Sequence, residues 1–254
     1  MRFVQSDFPP LDCHAHIDPT VTRNQVRLLG GAHVFAMTRT LADAAVALEN
    51  PQSGIHWAVG VHPALDESIT GWKLETFEEL QRRSFIVGEV GLDRRGRSRS
   101  RETILQEILE ASSGRVVSVH SLGRVDQVLD AVRTSGAKGA ILHWFLGTPA
   151  QVDLAVRLGC YFSVNAAMSD EAMRSLPYER VLPETDFPAS RFKTKASVPG
   201  DTRELESRVA SLTHSPLEMV RRHWYRVLAQ LVDDAEVGDA LPRSLRELVT
   251  FATA

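Results

Sequence analysis

Thiols are nearly missing from this chain of 254 residues, which has only Cys13 and Cys160. Two cysteines are too few for a disulfide framework and fit a reducing compartment. Long hydrophobic runs are missing too, and no stretch of 18 or more apolar residues offers a membrane span. The opening residues Met1–Pro10 carry Arg2 and Asp7 and lack the apolar core of a secretory signal, so the expected location is the cytoplasm. Neither sign of charge dominates. At a formal net charge of −3 there is no global field to gather polyanions, and any site for nucleic acid must be local. Aromatic residues make up only 7% of the chain, which argues against an extended stacking surface. There is no internal repeat and no low-complexity tract.

What remains is an ordinary globular mixture, 43% hydrophobic and 24% charged. A chain of this length suits one α/β domain over residues 1–254, and a (β/α)₈ barrel takes about 250 residues. Short apolar, β-branched runs predict eight strands, at Leu11–Ile17, Ala32–Met37, His56–His62, Phe85–Val90, Val116–His120, Ala140–Trp144, Tyr161–Val164 and Arg180–Leu182. Between them, Leu41–Glu49, Lys73–Arg83, Glu102–Ala111, Arg124–Arg133 and Thr148–Leu158 carry apolar residues three and four apart and predict amphipathic helices. Ser215–Val232 predicts a closing helix, with Trp224 facing the core. Strict alternation implies a parallel sheet, and eight repeats favour closure into a TIM-type barrel over an open sheet.

The chemistry-bearing residues support closure. In Asp12-Cys13-His14-Ala15-His16 the two imidazoles share one strand face, with Cα atoms roughly 6–7 Å apart, and can converge on one ion. Cys13 then faces the other way, as a small buried residue. His62, Glu89, His120, His143 and Asp186 follow at or just past strand ends, the face on which barrel enzymes assemble their sites. In an open sheet the outer strands would lie too far apart for all of them to meet. Carboxylates gathered there would repel one another, and a cation resolves the conflict. His33, His56, His214 and His223 match no motif and are read as ordinary core or surface histidines.

The ordered series His14-Ala15-His16, Gly60-Val61-His62-Pro63, Gly88-Glu89-Val90-Gly91-Leu92-Asp93, Val119-His120-Ser121, His143-Trp144-Phe145-Leu146-Gly147 and Glu184-Thr185-Asp186-Phe187-Pro188 resembles the TatD family of metal-dependent hydrolases and deoxyribonucleases, within the amidohydrolase superfamily. The resemblance covers roughly residues 11–232. It implies that His14, His16, Glu89 and Asp186 hold one divalent ion, that Glu89, His120 and His143 hold a second, and that Glu89 bridges. Such mixed ligands suit Mg²⁺, Mn²⁺ or Zn²⁺. The resemblance also implies that Asp186 accepts a proton from an attacking water and that His62 holds a substrate phosphate or protonates the leaving oxygen. The stretches Ile141–Phe145 and Gly159–Asn165 are similar to a subgroup that includes the nuclease of the Qat anti-phage system, which implies a defence role with protein partners encoded alongside.

For the substrate, the segment Arg94–Arg101 sets five arginines on a loop leading into the next helix. Arg94, Arg95, Arg97 and Arg99 are candidate phosphate contacts, since guanidinium forks match phosphate oxygens. Arg191, Lys193 and Lys195, on an expected active-site loop over Pro188–Asp201, form a second basic group, with Arg191 and Lys193 as candidate substrate contacts, and Trp144 is a candidate base-stacking residue. The expected substrate is DNA, single-stranded or at 3′ ends. Two other functions fit the same residues: a lactonase or deacylase using the same metals, and a non-catalytic scaffold within a larger assembly. Two departures from the family pattern stand out. Arg94 follows Gly-Leu-Asp where relatives often have an aromatic residue, and Pro183 removes a ladder donor upstream of Asp186, which points to a short eighth strand.

Overall fold

A computed structural model describes residues 8–96, 99–189 and 191–254, with Arg99 in its backbone only. Eight parallel strands alternate with helices among these residues. The strands are β1 (Leu11–Ala15), β2 (His33–Met37), β3 (Ile55–Ala58), β4 (Ile86–Gly91), β5 (Val116–His120), β6 (Ala140–Leu142), β7 (Tyr161–Val164) and β8 (Val181–Pro183). Helices α1 (Arg23–Val26), α2 (Leu41–Leu48), α3 (Asp66–Thr70), α4 (Leu74–Gln81), α5 (Arg99–Ala111), α6 (Val125–Ser135), α7 (Pro149–Arg157) and α8 (Asp170–Arg174) fill the connections. After β8 come α9 (Arg191–Thr194), α10 (Arg203–Thr213), α11 (Leu217–Asp234) and α12 (Arg243–Thr253). The architecture is the (β/α)₈ barrel.

Continuous pairing runs in two arcs, β1-β2-β3 and β4-β5-β6-β7-β8. Two seams join them. At the first, Val59 bridges to Val87, and the Val61 amide donates to the Glu89 carbonyl at 3.0 Å. At the second, the Asp186 amide donates to the His14 carbonyl at 2.9 Å and the His16 amide to the Phe187 carbonyl at 2.7 Å. The ring thus closes through residues of the chemical motifs.

Two glycines let the backbones approach around Glu89. A Cβ on Gly88, at φ 152°, would lie 2.8 Å from Met37 Sδ, and one on Gly91, at φ 139°, would lie 2.1 Å from the His120 carbonyl oxygen. No other residue type fits either position.

Several strands stop short of the sequence expectation. β6 ends at Leu142 because Trp144 turns left-handed at φ 41°, which cannot continue a strand. β3 ends at Ala58, and its continuation serves the first seam. β8 is three residues long and ends on Pro183. α5 starts at Arg99, so it takes up the end of the arginine segment: Arg101 is buried, donates to the Pro63 carbonyl at 2.7 Å and pairs with Asp66. The long helix α11 buries Val220, Trp224, Tyr225, Leu228 and Leu231, which makes Trp224 a core residue. α10 and α12 were not expected from the sequence. Among the described residues no helix is long and apolar enough to cross a membrane.

Candidate metal centre

Glu89, at 2% exposure, stands where the motif residues meet. Its oxygens face different partners. Oε1 lies 2.7 Å from His120 Nδ1 and 3.1 Å from His143 Nε2. Oε2 lies 3.2 Å from His62 Nε2, 3.3 Å from His16 Nε2 and 3.8 Å from His14 Nε2. Asp186 Oδ1 is 3.9 Å from His14 Nε2 and 4.0 Å from His16 Nε2. The ligand atoms of His14, His16 and Asp186 all lie within 4.8 Å of one another, as do those of His14, Glu89 and His143. Every sequence-predicted ligand has arrived at one centre.

The outer ring nitrogens decide what the inner ones offer. His16 Nδ1 sits 3.1 Å from the Met37 carbonyl, which can only accept, so that nitrogen carries the proton and Nε2 presents a lone pair inward. His120 Nε2 sits 2.8 Å from Asp93 Oδ2, which by the same reasoning turns the lone pair on Nδ1 toward Glu89. His14 Nδ1 meets Ser118 Oγ at 2.8 Å, and His143 Nδ1 faces Glu184 Oε2 at 3.5 Å. Imidazoles that bind metals are held in this way, by a partner on the far nitrogen. His62 is built the opposite way. The Ala64 amide donates to its Nδ1 at 3.1 Å, so the neutral ring carries its proton on Nε2, aimed at Glu89. Burial lowers His62 to about 4 and keeps it neutral.

The residues present fit a cation. His14 Nε2 is buried and has no hydrogen-bond partner among the described residues, an expensive arrangement unless a cation takes its lone pair. Glu89, Asp93, Glu184 and Asp186 are all buried around it. Burial pushes Asp186 up to about 6. Burial also works against a charged Glu89; where no cation takes the inner nitrogens, His120, His143 and His16 must be protonated there to donate to it, and such hydrogen bonds hold it well below the usual carboxylate range. Burial alone would lower His143, but Glu184 and Glu89 raise it well above its ordinary value. These directions describe excess negative charge that must be balanced by protonated imidazoles or by a metal. Asp186 and Trp144 are held at φ 48° and 41°, conformations that non-glycine residues seldom adopt away from constrained sites.

A cavity of about 570 Å³ opens over the cluster. Its walls carry Arg39 and Arg95 on the polar side and Leu65, Leu122, Trp144 and Leu146 on the apolar side. Of the predicted substrate contacts, Trp144 lines it. Arg95 lines it too, but its guanidinium is spent on Asp93, with Nε 2.8 Å from Oδ1 and Nη2 2.6 Å from Oδ2. Arg94 is exposed and does not line the cavity. Arg97 and the Arg99 side chain lie outside the described residues. Arg191 and Lys193 are exposed on α9, a little beyond Ala189 of the cavity wall. Sequence reasoning missed Ser118, Asp93 and Glu184 behind the imidazoles, Arg39 on the wall and the exposed Phe192. The aspartate of Gly-Leu-Asp and the glutamate of Glu-Thr-Asp stood in quoted motifs, whereas nothing in the sequence marks Arg39.

A parallel barrel with imidazoles and carboxylates collected over one end is the architecture of a metal-dependent hydrolase. The family model described as TatD related DNase matches residues 11–232, and the chain belongs to that family. It is similar to the uncharacterized metal-dependent hydrolase YabD of Bacillus subtilis, 22% identical over 237 residues that make up 82% of this chain and 93% of the relative. It is also similar to the 3′-5′ ssDNA/RNA exonuclease TatD of Edwardsiella piscicida, 27% identical over 196 residues, 72% of this chain and 73% of the relative. Among solved structures, the TatD homologue YJJV of Escherichia coli superposes with a TM-score of 0.73 at 19% identity, covering 87% of this chain and 96% of the other. A TatD family hydrolase of Entamoeba histolytica gives 0.72 at 15% identity, with 89% and 99% covered. At such identities the structures speak for the fold alone.

Proposed function

We propose that this chain is a two-metal phosphodiesterase that trims single-stranded DNA from a 3′ end. The observation that carries the reading is the division of Glu89. One carboxylate oxygen faces His120 and His143, and the other faces His14 and His16, with Asp186 beside them. A carboxylate divided in this way would serve two ions, the first held by His14, His16, Glu89 and Asp186 and the second by Glu89, His120 and His143. The chemistry that Mg²⁺, Mn²⁺ or Zn²⁺ supplies there is activation of a water and neutralisation of charge building on a phosphate.

The protein's own groups supply the rest. Asp186, at the cavity floor, takes the proton of the attacking water. His62 presents an N–H to the same space and, neutral, is placed to hold a phosphate oxygen; to protonate the departing one it would first take up a proton as the phosphate binds. Arg39 and the outer edge of Arg95 contribute positive charge to the wall, and Trp144 with Leu122 and Leu146 gives a nucleobase an apolar surface. The name of the Edwardsiella relative, an exonuclease on single-stranded DNA and RNA, supports the choice of bond and strand. The subgroup-like wording at 141–145 and 159–165 supports a place in anti-phage defence.

The test is a cleavage assay on end-labelled single-stranded DNA beside a panel of lactones and acyl esters, with each metal in turn. Shortening from the 3′ end, lost in Glu89→Gln, is the expected outcome. The apolar wall favours one competing reading, a lactonase or deacylase, and ester turnover without DNA cleavage would establish it.

A further inference from the structure

One buried carboxylate beside the centre has no part in the chemistry described above. Asp93 is fully buried and follows β4 on a segment that continues the pairing with β5: the Leu92 amide donates to the His120 carbonyl and the Arg94 amide to the Leu122 carbonyl, both at 2.9 Å. Asp93 is therefore carried into place directly beside the His120 ring. Among the described residues its side chain is held by two partners. Oδ1 accepts from the Arg95 amide and from Arg95 Nε, each at 2.8 Å. Oδ2 accepts from Arg95 Nη2 at 2.6 Å and faces His120 Nε2 at 2.8 Å. On the other side of the ring, His120 Nδ1 reaches Glu89 Oε1 at 2.7 Å and lies 3.0 Å from His143 Nε2.

We propose that Arg95 is a positioning residue for the second cation, acting through Asp93 to fix the rotation and tautomer of His120. This rests on the two-cation reading above. A carboxylate held by the imidazole alone could rotate away from it. That would release His120 Nε2–H, and with it the inward lone pair on Nδ1. The guanidinium fork prevents this, because it grips both oxygens at once and fixes the carboxylate plane against the ring. Among the described residues the two imidazoles of the first half-site lean on neutral groups instead, His16 on a backbone carbonyl and His14 on a serine. The asymmetry is the point: loss of Arg95 should loosen one ion and leave the other in place. Partners behind metal-binding imidazoles characteristically contribute about 10- to 100-fold in metal affinity.

The measurement is calorimetric titration of metal-free protein with Mn²⁺, comparing wild type, Arg95→Gln and Arg95→Lys. The Arg95 side chain is 63% exposed, so the substitutions leave the core intact, and a circular dichroism melt verifies the fold. Wild type should show two binding events, and His120→Asn should identify the one that belongs to the second site. In Arg95→Gln that event should weaken about 10- to 100-fold while the other is unchanged. Arg95→Lys should fall between, since one ammonium cannot span both oxygens. Two events unaltered in Arg95→Gln would overturn the proposal. So would unaltered metal binding combined with weaker binding of an oligodeoxynucleotide, which would make Arg95 a phosphate contact only. A single event in wild type would instead overturn the two-cation reading.

Discussion

At the scale of the residue, five histidines face Glu89, but their far nitrogens divide them into two kinds. His16 gives its proton to a carbonyl, whereas His62 accepts one from an amide. The first can only offer a lone pair to the centre, and the second can only offer a proton. Replacing each by asparagine should separate the roles. His16→Asn should emerge from dialysis with reduced metal content, measurable by plasma mass spectrometry. His62→Asn should keep its metal and lose about 100-fold or more in turnover, in the range for a lost proton donor. Metal loss in His62→Asn would make it a ligand. A different pair, His33 and His56, lies at the opposite end of the strands with His33 Nδ1 and His56 Nε2 2.9 Å apart. Burial, with the charge of a protonated His33 beside it, lowers His56 to about 3. A histidine whose folded value lies below its unfolded one stabilises the fold above pH ~6.5 and loses that contribution as pH falls toward the folded value. Wild type should therefore lose melting temperature between about pH 6.5 and 4, and His56→Phe, placed between Phe35 and Phe85, should flatten that part of the profile.

At the scale of the element, legibility followed the range of the interaction. Strand cores such as Val116–His120 and Tyr161–Val164 are written in local β-branched runs, and both coincide with the observed strands. Ends were harder. The sequence of β6 continues apolar through Trp144, and only the left-handed turn at that residue stops it. Glu89, Asp186 and the histidines that converge beside them could be picked out because they sit in fixed local motifs, whereas the groups behind them depend on which strands become neighbours. Ser118 reaches His14 from 104 residues away, and no local pattern records that. The segment after β8 was expected as a loop, and it contains α9. Its far end is tied down by Asp12, whose carboxylate accepts from the Gly200 amide at 2.8 Å and from the Thr185 amide at 2.9 Å. On α9, Phe192 is 87% exposed with the Arg191 guanidinium 4.8 Å over its ring. It lies three positions along the chain from Ala189 of the cavity wall, so its Cα lies within about 11 Å of that residue's. An exposed aromatic between two cations suits a base of the strand leaving the cavity. Phe192→Ala should leave the melting temperature unchanged and weaken binding of a single-stranded oligonucleotide by about 1 to 3 kcal/mol, read by fluorescence anisotropy in the Glu89→Gln background.

At the scale of the whole molecule, a net charge of −3 means that the barrel as a body repels a polyanion, and attraction has to come from the rim. The structure sorts the rim charges by availability. Arg101 is buried against Pro63 and Asp66, and Lys195 is paired with Glu204 at 2.7 Å. Arg95 is largely engaged by Asp93. Arg39 is exposed on the cavity wall, and Arg191 and Lys193 are exposed on α9 nearby in the chain. Arg94 aside, which is exposed but off the cavity wall, the described rim offers about three phosphate contacts, and counterion release sets the consequence. Each contact to a single strand contributes about −0.7 to the slope of log affinity against log salt. Three contacts give a slope near −2, so affinity should fall roughly 15- to 20-fold between 50 and 200 mM salt. Anisotropy titrations across that range, in Glu89→Gln to prevent cleavage, read the slope directly. A double substitution, Arg191→Ala with Lys193→Ala, should make it shallower by about 1.4. An affinity indifferent to salt would mean that the cavity takes an uncharged substrate, and the balance would move to the ester-cleaving alternative. A slope far steeper than −2 would mean that the strand crosses more of the barrel surface than this rim provides.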